Sequence, residues 1–499
     1  MRCKFLIYSL LIVSILILGC TDKGVEKDSG VIDEKKSTDK IAENKVIDAK
    51  KTVQPKNIVE NKKSNINNQI QLVNPNSNGV SVGLTDVNVV LPLSNIPLQE
   101  VGKPFQDSTF GTTLIRLGDA NPGELFRHEY SQLQAFNKES SLVLLNTAEG
   151  LAVYDVNTLA KVYSFNFPVN APRWNPINPD EMIHFDENGD ASSNGNVLVV
   201  LQKTNVRTGV TENIFTFPSE YERVAGSNSW EELSRDGKWL AAYLERSDRT
   251  RDIVAFNLES KKIGAVLTNS GGFGRNSGSC LEASQYEPNW VAASPLGNYL
   301  VVQWNRDGLG VCEGVEVFDI EEGDYLGHVA SHRGHSDTGI DENGKEIYVT
   351  TSFSNDLLIT LTEFPGRTGF SAPETAYGKI ILSPGWYHMD HLSCKGPKGI
   401  CVVSGGYGEN GKPGDEPFSD EVYLVYTSGT AQDNRENSNA MVRRLSHIRS
   451  TACDYYHQAH PSISQDGSFV IFASDWGNCE NGSDSYIIDL RNKDISVPK

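Results

Sequence analysis

The stretch HPSISQDGSFVIFAS, residues 460–474, reads as one β-hairpin. Gln465-Asp466-Gly467 is a turn sequence, because Gly accepts the backbone angles a tight turn needs. It opens an apolar run, FVIFAS, with the composition of a buried strand. The phrase recurs along the chain: SWEELSRDGKWLAAYL (229–244), NWVAASPLGNYLVVQW (289–304), SDTGIDENGKEIYVTT (336–351) and HLSCKGPKGICVVS (391–404). Weaker copies are QLQAFNKESSLVLLN (132–146) and RWNPINPDEMIHF (173–185). Further strands follow, such as GLAVYDVNT, DIVAFNLES, GVEVFDIEEG and SYIIDLRNK.

Seven copies stand at intervals of roughly 40–70 residues, and each holds about four short strands. One four-stranded unit cannot bury both faces alone, whereas seven arranged radially can, leaving only short edges. The expected fold is therefore all-β, a seven-bladed β-propeller with four-stranded blades. The last unit shows only about three strands, and TTLIRL (112–117) is expected to supply the missing one and close the ring. A pair of β-sandwiches is the alternative.

The N-terminus differs from this body. MRCK is followed by FLIYSLLIVSILILG, about fifteen mostly apolar residues, too short for a spanning helix and suited to a signal sequence. It ends in Ile17-Leu18-Gly19-Cys20, which resembles the lipobox of prokaryotic lipoproteins. The resemblance implies cleavage after residue 19, lipid on Cys20, and a chain anchored outside the cytoplasm in the cell envelope. Residues 20–79 are rich in Lys, Asn, Asp, Glu and Ser with no sustained period, so they read as a disordered tether. The propeller is expected over 80–499. Of the net charge of −19, signal and tether together carry a net +4, which leaves −23 on the body. Such a body repels phosphate backbones, which excludes nucleic acid as a partner. A monomer is expected.

Six cysteines remain beyond Cys3 and Cys20. Their even number in an oxidising compartment points to disulfides, with fifteen pairings open. The short-loop set, Cys280–Cys312, Cys394–Cys401 and Cys453–Cys479, is the expectation, because each pair falls within one repeat.

Equivalent positions of successive blades form a ring about the axis. Seven residues before the turn glycine or its substitute stand Leu133, Trp174, Trp230, Trp290, Asp337, His391 (with one inserted residue) and His460. Three further upstream stand Tyr130, Ala171, Ser227, Glu287, Gly334, His388 and His457, with His128, Arg173, Tyr286, His335, Asp390 and Gln458 close by. One wall of the mouth then carries imidazoles and the other indoles. Indoles stack on sugar rings or pack the funnel; imidazoles do acid–base work or hold a metal. Asp186-Glu187-Asn188-Gly189-Asp190 has the oxygen spacing of a calcium loop but lacks its closing Glu, so a surface turn is expected.

The phrase S-x-D-G-x-x-V-x-F-x-S resembles the repeats of TolB-type, WD-like propellers, and those of propeller-fold polysaccharide lyases of the oligogalacturonate lyase type. The lyase resemblance implies a divalent metal, manganese or calcium, held by a Gln-and-His phrase and a histidine of another blade. Here Gln458 and His460, with His388 or His391, match that pattern, although the spacing departs from it. Elimination on a uronate needs charge neutralisation, a base and a proton donor. His128, His335 and Tyr130 are the candidate acid and base, Arg173 the carboxylate clamp, and Trp174, Trp230, Trp290 and Tyr286 the sugar-binding residues. The TolB resemblance implies instead a module that docks an envelope protein. An acidic glycan and an envelope protein are thus the two candidate partners.

Overall fold

The hairpin at 460–474 shows why the repeat folds as it does. Gly467 takes φ +75°, and its N–H donates to Ser464 O at 2.9 Å. The Ser464 hydroxyl accepts from Phe469 N at 2.9 Å and donates to Asp466 Oδ1 at 2.8 Å. Ser234, Asp236 and Gly237 repeat the arrangement: the serine accepts from Trp239 N at 3.0 Å and donates to Asp236 at 2.6 Å. The Ser-x-Asp-Gly signature is therefore a self-contained turn whose polar groups satisfy one another.

The computed structural model describes residues 80–498 apart from 168, 187–197, 226–232, 269–286, 333, 353–357, 367–377, 386–389, 407–412 and 433–435. The expected signal and tether, Trp230, Tyr286, Cys280, His388 and most of the 186–190 loop lie outside them. Among the described residues there is no α-helix; five four-stranded antiparallel sheets follow in chain order as blades 2 to 6, and one nine-stranded sheet holds blades 7 and 1, joined by the parallel pairing of Ser483–Asp489 with Leu125–Arg127. Blades 2 to 6 begin on the innermost strands Val169–Trp174, Tyr221–Val224, Pro288–Ala293, Ser336–Ile340 and Leu392–Ser393. Blade 1 begins at Leu125–Arg127 and blade 7 at Ser462–Ile463.

Thr112–Arg116 pairs antiparallel with Ser483–Asp489, so an N-terminal strand completes the last blade, as expected from TTLIRL. Pro104–Asp107 adds a fifth strand outside it. The chain ends are also fastened by Val80–Ser81, which pairs in parallel with Lys493–Asp494.

Packing closes the ring. Seven apolar clusters lie one between each pair of neighbouring blades. Trp304 and Tyr243 join blades 3 and 4, and Ile471 and Phe136 join blades 7 and 1. Each sheet thus buries both faces against its neighbours, which a single blade cannot do. Two of the expected disulfides are present, Cys394–Cys401 in the blade 6 hairpin and Cys453–Cys479 ahead of and within blade 7. Cys312 is disulfide-bonded as well.

Candidate functional site

Strand pairing fixes which residues share a ring position. The bonds from Thr427 N to Gly399 O, Leu490 N to Ser468 O and Phe364 N to Glu346 O are the same bond in blades 6, 7 and 5. Three residues on, Val402, Ile471 and Val349 face Ser393, Ser462 and Asp337. Two residues before those stand His391, His460 and His335. All three imidazoles therefore occupy one equivalent place, just ahead of the innermost strands of blades 5, 6 and 7.

This corrects the count from the turn in two blades. The hairpin after Asp337 is three residues longer than that after Ser462, so His335, not Asp337, matches His460. In blade 2 the hairpin is one residue longer, and Ala171 takes the place given to Trp174. Ala171 and His460 share a left-handed backbone, φ +49° and +41°.

The three rings meet. His391 stacks on His335 at 3.9 Å between centroids, and the edge contact with His460 is 4.1 Å. Tyr130 lies against His391 and His460 at 5.2 and 4.9 Å, and Tyr455 against His460 at 4.7 Å. Asp390 stands between two imidazoles. Its Oδ1 is 3.3 Å from His335 Nδ1 and its Oδ2 is 2.9 Å from His391 Nδ1. His335 Nδ1 also donates to Asp390 O at 2.8 Å, which leaves Nε2 as the basic nitrogen of that ring. Arg127 Nη2 donates to His460 Nδ1, so the neutral ring carries its proton on Nε2.

The electrostatics separate these groups. Burial lowers the His335 pKa, but the hydrogen bond and charge of Asp390 outweigh it and the net shift is upward. Burial lowers His391 to about 4 and His460 well below its usual range, the neighbouring imidazoles and Arg127 adding to the effect. Burial opposes ionisation of Asp390, yet the flanking imidazoles hold its carboxyl below the usual range. Burial keeps the Tyr130 hydroxyl protonated and pushes Tyr455 up to about 12.

A cation has donors here. His335, Asp390 and His391 offer ligand atoms within 4.8 Å of one another. The near-parallel planes of the two stacked rings, 23° apart, keep their in-plane lone pairs from converging on one ion. His391 Nδ1 is the better donor: it is buried without an aligned hydrogen-bond partner, although Asp390 Oδ2 is only 2.9 Å away. Two adjacent ligands about 2.1 Å from an octahedral ion stand about 3 Å apart, so this pair fits a divalent cation. His460 Nε2 is also buried and unpartnered, but its proton makes it a donor rather than a ligand.

The other expected site residues fall elsewhere. His128 is buried with both ring nitrogens used, one on Ser485 Oγ at 2.9 Å and the other on His460 O, so it buttresses the site. Gln458 is half-buried at the end of a short 3-10 turn, its N–H on Tyr455 O at 3.3 Å. Trp174 and Trp290 are 5% and 3% exposed in the packing between blades 1 and 2 and blades 4 and 5. Arg173 lines a separate cavity further down the axis. The sequence reading missed Arg127 and Tyr455, and it left Asp390 without a role. The pattern Asp390-His391 was the available signal for that carboxylate.

No protein-family model matches the chain, and no curated protein matches it in sequence. Among solved structures, an oligogalacturonate lyase in complex with manganese is 13% identical, with 82% of this chain and 98% of that one covered at a TM-score of 0.51. The oligogalacturonate lyase of Vibrio parahaemolyticus is likewise 13% identical, with 78% and 96% covered at a TM-score of 0.52. TolB from Acinetobacter baumannii overlaps at a TM-score of only 0.30, too low to weigh. The chain thus has a β-propeller fold similar to that of oligogalacturonate lyase.

Proposed function

We propose that the imidazole-bearing mouth binds an acidic oligosaccharide or polysaccharide and cleaves it by β-elimination, on a propeller anchored by lipid at Cys20 outside the cytoplasm. The observation that carries this reading is the convergence of His335, His391 and His460 about Asp390 and Tyr130. In this reading His335 Nε2 removes the proton α to the uronate carboxylate, with Asp390 holding the ring as an orienting carboxylate does. The electron pair left on carbon forms the new double bond as the C–O bond to the leaving sugar breaks. Tyr130 donates its hydroxyl proton to that leaving oxygen, and the fixed Nε2–H of His460 offers a hydrogen bond to developing negative charge. Asp390 and His391 would hold a divalent cation, manganese or calcium, whose contribution when bound is to neutralise the substrate carboxylate.

The test is ultraviolet absorbance of the unsaturated product on a panel of uronate polymers, with and without chelator. Product formation that falls in His335→Ala supports the reading. No product on any polymer, with unchanged folding, overturns it and leaves the envelope-protein docking module as the function.

A further inference from the structure

A second feature lies on the same axis at the opposite ends of the innermost strands, where the hairpin turns gather. A cavity of about 70 Å³ opens there, with Lys138, Arg173, Arg235 and Lys395 in its wall beside Gln134 and Gln465. No acidic side chain lines it among the described residues, although the body as a whole is strongly acidic. Three of the cations are engaged. Arg235 donates across the axis to the carbonyls of Gly396 and Cys394, and Lys395 pairs with Asp337 at 2.9 Å. Lys138 reaches Ile177 O at 3.2 Å from the exposed rim.

Arg173 is different. It is 7% exposed, and its Nη1 donates to Pro172 O at 2.8 Å. Its Nε and Nη2 are buried with no hydrogen-bond partner. These two groups form the side-on edge of the guanidinium, the fork that matches two oxygens of one carboxylate or phosphate. Glu129 acts on Arg173 through its charge, without a hydrogen bond among the described contacts. A buried cation with an idle recognition edge is costly unless something completes it.

We propose that this turn-end cavity is an anion-binding site in which Arg173 grips an oxyanion through Nε and Nη2 and Lys138 steers it from the rim. The ligand is a carboxylate or phosphate group; a sugar acid and free inorganic phosphate are the two sources of that chemistry. The site is independent of the imidazole mouth and stands if the lyase reading fails.

Calorimetric titration of the full chain in chelator, with inorganic phosphate and separately with monomeric galacturonate, tests it. Saturable binding of either, at least tenfold weaker in Arg173→Met and partly retained in Arg173→Lys, is expected, and the anion that binds identifies the source. Lys138→Glu, at an exposed position that leaves the core intact, should weaken binding by about tenfold. Ligand-free Arg173→Met should melt no lower than the unaltered chain, since an unsatisfied buried charge is removed. Absence of saturable binding by both anions, or equal binding by Arg173→Met, overturns the proposal.

Discussion

Blades 5 to 7 and blades 2 and 4 hold the same ring position on the same backbone frame and use it oppositely. In blades 5 to 7 the position carries His335, His391 and His460, whose rings meet on one side of the axis. In blades 2 and 4 it carries Ala171 and Trp290, and the indole is buried against Tyr348 of the next blade at 6.3 Å. The difference lies in what each half asks of its side chains. One half turns the position into packing between blades. The other accepts buried polar atoms with idle valences, which stability alone does not favour.

The largest expected effect follows directly. His335→Ala should lower turnover by about 10²–10⁴-fold, the range for loss of a general base, with the denaturation midpoint little changed. If activity persists, the imidazole half has no chemical role and the contrast is only one of packing. Trp290→Ala should do the reverse. It removes a buried indole and should cost about 3–5 kcal/mol in chemical denaturation, while the folded fraction keeps its activity.

His128 sharpens the contrast from within the imidazole half, because it is structural. Burial and Arg127 lower its pKa to about 3. Between the ordinary histidine pKa of about 6.5 and that value, the unfolded chain binds a proton that the folded chain does not. Stability present above about pH 6.5 should therefore fall by about 1.4 kcal/mol per pH unit as the medium becomes more acid. His128→Asn should flatten that slope; an unchanged slope would assign it to the other buried histidines.

The smallest effect is a displaced pH profile. His335 must be neutral to take a proton, so activity should be lost as pH falls through its raised pKa. Asp390→Asn removes the partner that raises it, and the acid limb of kcat/KM should move to lower pH. A limb that stays in place would mean that Asp390 does not set the basicity of His335.

Much of this was legible beforehand, and the parts that were not have definite causes. Ser464, Asp466 and Gly467 form a turn by themselves, so their recurrence announced the blades. TTLIRL could be matched to a missing strand because ring closure demands one. Cys394 and Cys401 close a hairpin only seven residues apart in sequence. The ring position was read correctly in blades 6 and 7. It slipped in blade 5, where a longer hairpin separates Gly344 from the strand register, and in blade 2, where the hairpin is longer and has no glycine, so that Glu181 marked the register poorly. Arg127 escaped notice because its contact with His460 spans 333 residues and no local pattern encodes it.

The sequence by itself determined the repeat and its turns, because each depends on neighbours a few residues away. Only the tertiary structure decided which imidazoles meet, which nitrogen of each keeps its lone pair, and that Trp290 packs while Arg173 faces an open cavity. Those outcomes depend on how seven separate hairpins register around a common axis, and strand pairing sets that register across hundreds of residues.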